Sequence, residues 1–85
     1  MGREDVDRGG VEQVDFELEP GHDFIELNQL LKLAGACESG GAGKALVSMG
    51  AVRVDGVVES RRTCKIRAGQ RIRVGGFDIR VLPPA

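Results

Sequence analysis

At Gly50 the rhythm of this chain changes, and that change limits the folds open to it. Upstream, within the run Phe24–Ala34, the residues Leu27, Leu30, Leu31 and Ala34 fall at i, i+3, i+4 and i+7, one face of a helix. Gly35 is placed to end that helix in a left-handed cap. Ser39 reads as the N-cap of a second helix. Ala42, Ala45, Leu46 and Met49 supply its apolar face, and Gly50 closes it. Downstream of Gly50 the period is two. Val52-Arg53-Val54 and Val57-Val58 flank Asp55-Gly56, a strong tight-hairpin signal. Arg71-Ile72-Arg73-Val74 and Phe77-Asp78-Ile79-Arg80-Val81 alternate around Gly75-Gly76. Val14-Asp15-Phe16-Glu17-Leu18 alternates as well, closed off by Pro20-Gly21. The expected class is α+β: two short helices packed on a small, mostly antiparallel sheet.

The 85 residues suffice for one domain. Residues 1–13 are polar, charged and glycine-containing and read as a disordered acidic leader. Residues 14–82 form the folded unit, and 83–85 a short tail. With only Phe16, Phe24 and Phe77 aromatic, the core has to be built from Val, Leu, Ile and Ala. Cys37 and Cys64 are far apart and too few for a disulfide scaffold. Residues 1–23 hold no apolar run of the signal-peptide kind, and nothing approaches the roughly 20 apolar residues of a membrane span. These features predict a cytoplasmic protein with reduced thiols.

The net charge of −1 hides an asymmetry. Residues 1–26 carry nine acids against Arg3 and Arg8, giving −7, whereas residues 27–85 carry ten bases against Glu38, Asp55, Glu59 and Asp78, giving +6. The part expected to fold is basic, which points to an anionic partner.

The order of elements is distinctive: a Leu-rich helix (Leu27–Leu33), a Ser-led helix (Ser39–Met49), Gly50-Ala51-Val52-Arg53-Val54-Asp55-Gly56, a basic connection, then Gly69-Gln70-Arg71-Ile72-Arg73-Val74. It resembles the RNA-binding domain of the ribosomal-protein-S-four type, the αL motif. Within that group it bears a closer resemblance to the bacterial YbcJ-like branch, through Phe16–Leu27, Leu30-Leu31-Lys32-Leu33, Glu38-Ser39-Gly40, Lys44, Val54-Asp55-Gly56, Cys64-Lys65-Ile66 and Ala68-Gly69-Gln70. The resemblance covers residues 14–82 and implies an RNA-binding fold, with ribosomal or transfer RNA, or a ribosomal particle, as partner. Two features depart from the wider pattern. The second helix carries Lys44 as its one cation, where arginines are frequent, and Gln70 stands where Asp is usual.

The residues support the same expectation by themselves. A helix start offers unpaired N–H groups and a positive dipole end, suited to phosphate. Ser39-Gly40-Gly41 lets a phosphate come close, and Lys44 adds a charge within about one turn. Arg53, Arg61, Arg62, Lys65 and Arg67 follow on the hairpin and connection and are expected to join Ser39, Gly40, Gly41 and Lys44 in one basic patch. No aromatic lies in that stretch, so contacts to the backbone of structured RNA, read by shape, are expected over base stacking. Arg71, Arg73 and Arg80 read as the wet face of the sheet.

Other chemistries find little support. Gly40-Gly41-Ala42-Gly43-Lys44 superficially suggests a P-loop, but Glu38 stands where the first Gly belongs and Ala45 follows the Lys. Cys37, Cys64 and His22 fall short of the roughly four ligands of a zinc site. No nucleophile–base pair is visible, and no metal, cofactor or catalytic activity is expected. The internal Gly75-Gly76 does not suit a ubiquitin-like sulfur carrier. A second reading is a protein-interaction module in which the acidic leader binds a basic partner or folds back on the patch.

Overall fold

In the computed structural model, which describes residues 11–85, the leucine periodicity produces α1 (Leu27–Leu33) and the Ser-led segment produces α2 (Gly40–Ser48). The strands are β1 (Glu12–Glu17), β2 (Ile25–Glu26), β3 (Val52–Val54), β4 (Val57–Val58), β5 (Lys65–Ile66), β6 (Arg71–Val74) and β7 (Phe77–Leu82). Five of them form one sheet in the order β1-β7-β6-β3-β4, with only the β1–β7 pair parallel. β2 and β5 form a separate antiparallel ladder. The α+β expectation holds.

Strand alternation decides which side of the five-stranded sheet is covered. Val52, Ile72, Val74, Ile79 and Val81 turn inward and are buried together with Leu27, Leu30 and Leu31 of α1 and Val47 of α2. Leu18 and Ile66 complete this aliphatic core. Each of these side chains contributes about 1.5–3 kcal/mol relative to remaining in water. Phe16 and Phe77 only pack against its edge. Arg53, Arg71, Arg73 and Arg80 occupy the alternate, exposed positions.

Both helices end in the same device. The Gly35 and Ala36 N–H groups bond back to Lys32 and Leu31, and those of Gly50 and Ala51 to Val47 and Leu46. This Schellman pattern needs a left-handed residue, and Gly35 (φ +84) and Gly50 (φ +75) supply it. Asp55 (φ 51) and Gly56 (φ +86) make the hairpin turn that their sequence predicts. Asp55 Oδ1 also accepts from the Arg71 N–H at 3.0 Å, which fastens the turn to β6.

The structure departs from the sequence reading at three points. β1 starts at Glu12, two residues before the expected folded boundary, because the Glu12 N–H reaches the Gly76 carbonyl at 2.6 Å. The rest of the expected leader, residues 1–10, lies outside the described residues. The first helix spans Leu27–Leu33 as the sequence places it, but Ile25 and Glu26 just before it are drawn into a ladder with Ile66 and Lys65 that the sequence reading did not contain. The buried face of α2 is Gly43 and Val47, whereas Ala45 is exposed and Met49 is 73% exposed. The reason is the close approach of α2 to α1 described next.

Candidate nucleic-acid interface

α2 begins as its sequence demands. Ser39 is extended (φ −153, ψ 164), and its Oγ accepts from the Ala42 N–H at 3.0 Å. The Gly43 N–H bonds to the Ser39 carbonyl. The N–H groups of Gly40 and Gly41 precede the first intrahelical bond and have no partner among the described residues.

Asn28, which is 2% exposed, joins this helix start to the basic connection. A Cβ placed on Gly43 would stand 2.7 Å from the Asn28 carbonyl oxygen and 3.2 Å from its Cα. Here the two helix backbones touch, and only glycine fits. On its other side, the Asn28 N–H donates to the Arg62 carbonyl at 3.2 Å, and the Leu27 N–H to the Cys64 carbonyl at 2.8 Å. Glu26 offers no side-chain cap to α1, so the connection's own carbonyls cap it. The connection is thereby docked by its backbone against the start of α1, next to the start of α2. The Asn28 Oδ1 is buried in this junction without a hydrogen-bond partner.

The cations fall into distinct states. Lys44 and Arg62 are exposed and have no acid within salt-bridge reach among the described residues. Lys65 lies across from Glu26 in the β2–β5 ladder, with its ammonium 4.9 Å from the centroid of the Phe24 ring. Arg67 pairs with Asp23 at 3.3 Å and lies 5.7 Å from the same ring. Arg61 is committed to Glu59: its Nε reaches Oε2 at 3.0 Å, a second guanidinium nitrogen reaches Oε1 at 3.1 Å, and its backbone N–H adds a bond of 2.8 Å.

The Arg61 hydrogen bonds pull the Glu59 carboxyl down from 4.5 to about 2. A depressed carboxylate adds stability above its unfolded pKa, and that stability is lost as pH falls through the folded value. Acid titration of the wild type is therefore expected to lose this contribution between about pH 4.5 and 2. Glu59→Gln should lack that component of the acid limb when unfolding is followed by circular dichroism against pH.

The structure does not bring Arg53 into the patch. Its neighbours Val52 and Val54 face the helices, so Arg53 points to the opposite, open side of the sheet, directly across from Arg73. Arg53 is expected beside Lys44 because the hairpin flanks α2 in this fold class, and strand alternation overrides that. On the same open side Arg80 grips Asp15 through two bonds of 3.2 Å, and Arg71 pairs with Asp78 at 3.1 Å. Asp78 keeps one buried oxygen, Oδ1, unpartnered.

Sequence reasoning missed Phe24. Its neighbourhood with Lys65 and Arg67 depends on the two-residue β2–β5 pairing, which is too short to leave a periodic signal. Gln70, the departure from the usual Asp, accepts from the Arg67 N–H at 2.7 Å and holds the turn through its own amide. Cys37 and Cys64 are free and partly buried against the core. Among the described residues no group of three or more His, Cys, Asp or Glu is arranged to hold a metal ion, and no helix is long and apolar enough to cross a membrane.

Two short helices packed on a mostly antiparallel sheet define the fold class, and the comparisons agree with it. The chain belongs to the S4 domain family, which it matches over residues 16–82. It is 46% identical over 61 residues to YbcJ of Escherichia coli (strain K12), whose name marks it as a candidate RNA-binding protein; the match spans 72% of this chain and 87% of that one. The same figures hold for YbcJ of Shigella flexneri, whose name records no function. The solution structure of YbcJ from E. coli, reported to reveal an αL motif involved in RNA binding, superposes with a TM-score of 0.65 at 42% identity, over 84% of this chain and 89% of that one. The resemblance read from the sequence is therefore borne out.

Proposed function

We propose that this protein is a non-catalytic, cytoplasmic RNA-binding module. It holds the phosphate backbone of structured RNA at the start of α2 and along the basic connection. The observation that carries this reading is the junction at Asn28, which sets the open Gly40 and Gly41 N–H groups and the connection bearing Arg62 on one buried residue. A phosphate at the helix start receives two backbone N–H bonds and the favourable end of the helix dipole. Lys44 and Arg62 need break no ion pair with a described residue to reach it. Lys65 and Arg67 extend the cationic track towards Phe24. Ser39 shapes the seat through its cap, and Arg61 adds charge only when it leaves Glu59. Ribosomal and transfer RNA, free or within a ribosomal particle, are the structured RNAs to test.

Contacts of this kind release counterions, so affinity should fall steeply with salt. Each phosphate neutralised contributes a slope of about −0.7 to −0.9 in log K against log salt. Filter binding of transfer RNA across a salt series is expected to give a slope of about −3 for the four cations of the track. A flat dependence, or no binding at low salt, would overturn the reading.

A further inference from the structure

The molecule has a pocket that the phosphate track does not use. It lies between the end of β1 and α1, has a volume of about 220 Å³, and is walled by Phe16, Leu18, Phe24, Ile25 and Leu33. Its polar lining is Glu17, Glu19 and His22. Leu33, at the last position of α1, is 59% exposed, so one wall is apolar and open. Sites for drug-sized ligands usually measure roughly 300–1,000 Å³. This one suits a single small, flat group.

Phe24 belongs to this pocket and also to the cation cluster. It contributes to the wall, while Lys65 and Arg67 lie 4.9 and 5.7 Å from its centroid. Phosphate-binding charges thus stand one ring away from an apolar slot. The lining carboxylates repel a phosphate but accept hydrogen bonds from N–H donors. His22 Nε2 is 4.0 Å from Glu19 Oε1, and both side chains are largely exposed and able to rearrange.

We infer that the pocket receives an unpaired nucleobase of the RNA whose backbone lies on Lys65 and Arg67, and that it favours guanine. The inference rests on the RNA-binding reading and adds a base contact to it. The apolar walls cover the faces of the base, and base–aromatic contact of this kind contributes about 1–3 kcal/mol per base. Guanine carries two neighbouring donors, N1–H and N2–H, on its Watson–Crick edge, and one carboxylate can accept both. Uracil has a single ring donor flanked by carbonyls, which the carboxylates repel. Aromatic stacking, unexpected from the basic stretch alone, enters through a ring brought in from far upstream.

The test has two parts on the full chain. Guanosine 5′-monophosphate and uridine 5′-monophosphate are titrated separately, and the ring and methyl resonances of Phe16, Phe24, His22 and Leu33 are followed by NMR. The guanine nucleotide is expected to move them in a saturable way, with the uracil nucleotide at least fivefold weaker. Next, an RNA stem with one unpaired guanine is compared with the same stem fully paired, using wild type and Leu33→Ala, which trims the exposed apolar wall of the pocket and lies outside the cation cluster. The wild type should prefer the bulged stem about tenfold, and Leu33→Ala should lose most of that preference while keeping its affinity for the paired stem. Binding of the paired stem with no bulge preference and no shift at the pocket would overturn the inference and leave the phosphate track standing. Equal response to both nucleotides would overturn the guanine preference. Failure to bind either stem at low salt would remove the RNA reading and this inference together.

Discussion

Gly43→Ala is expected to destabilise the fold by about 1–2 kcal/mol, although alanine is the better helix former by about 1 kcal/mol. The new methyl group would stand 2.7 Å from the Asn28 carbonyl oxygen, a backbone atom that cannot swing aside. The helices must separate, and because the clash is with a fixed backbone atom the overpacking cost falls in the upper part of its usual range, about 2–3 kcal/mol, before the propensity gain is set against it. In a domain of this size each kcal/mol lowers the melting temperature by roughly 4–8 °C. Gly41→Ala is the matched control. A Cβ there meets nothing nearer than the Ser39 Oγ at 3.9 Å, so the helix gain of up to about 1 kcal/mol should appear as stabilisation. Thermal unfolding of the two variants should therefore move in opposite directions. A Gly43→Ala variant as stable as the wild type would mean that the helices do not touch there.

The double variant Lys44→Ala/Arg62→Ala is expected to weaken structured-RNA binding about a hundredfold at low salt. Hydrogen bonds to a charged group contribute about 1.5–3 kcal/mol, and these two exposed cations should lie at the lower end, about tenfold each. The salt slope should become shallower by about 1.5, the share of the two phosphates no longer neutralised. Neither side chain forms an ion pair among the described residues, so the melting temperature should barely change. A drop in affinity without a change in slope would mean that the two residues act through shape rather than charge. Arg53→Ala, on the open face of the sheet, should have a much smaller effect than Arg62→Ala.

Much of this fold is legible in the sequence because local signals and burial agree. The leucines of α1, the Ser39 cap, the Gly35 and Gly50 stops and the Asp55-Gly56 turn all name their own conformation. What was not legible depends on contacts between distant segments. The pairing of Ile25 with Ile66 joins two distant segments through a two-residue ladder, too short to leave a periodic signal in either. Met49 looks like a core residue until Gly43, which has no side chain to signal burial, turns out to carry the helix contact. For the candidate interface, the sequence reading rested on which segments flank α2 in this fold class. It misled at Arg53, where a single step along a strand reverses the direction of the side chain. The commitment of Arg61 to Glu59, two residues before it, needed the side-chain geometry.

RNA is expected to sit on the helix side of the protein, at the start of α2 and along the connection. The most direct test of that placement is amide chemical-shift mapping of the protein titrated with transfer RNA at moderate salt. The largest shifts should fall at Gly40, Gly41, Ala42, Lys44 and Arg61–Arg67, with Arg53, Arg73 and Arg80 nearly still. Largest shifts at those three sheet arginines, with the amides of Gly40 and Gly41 unmoved, would contradict it.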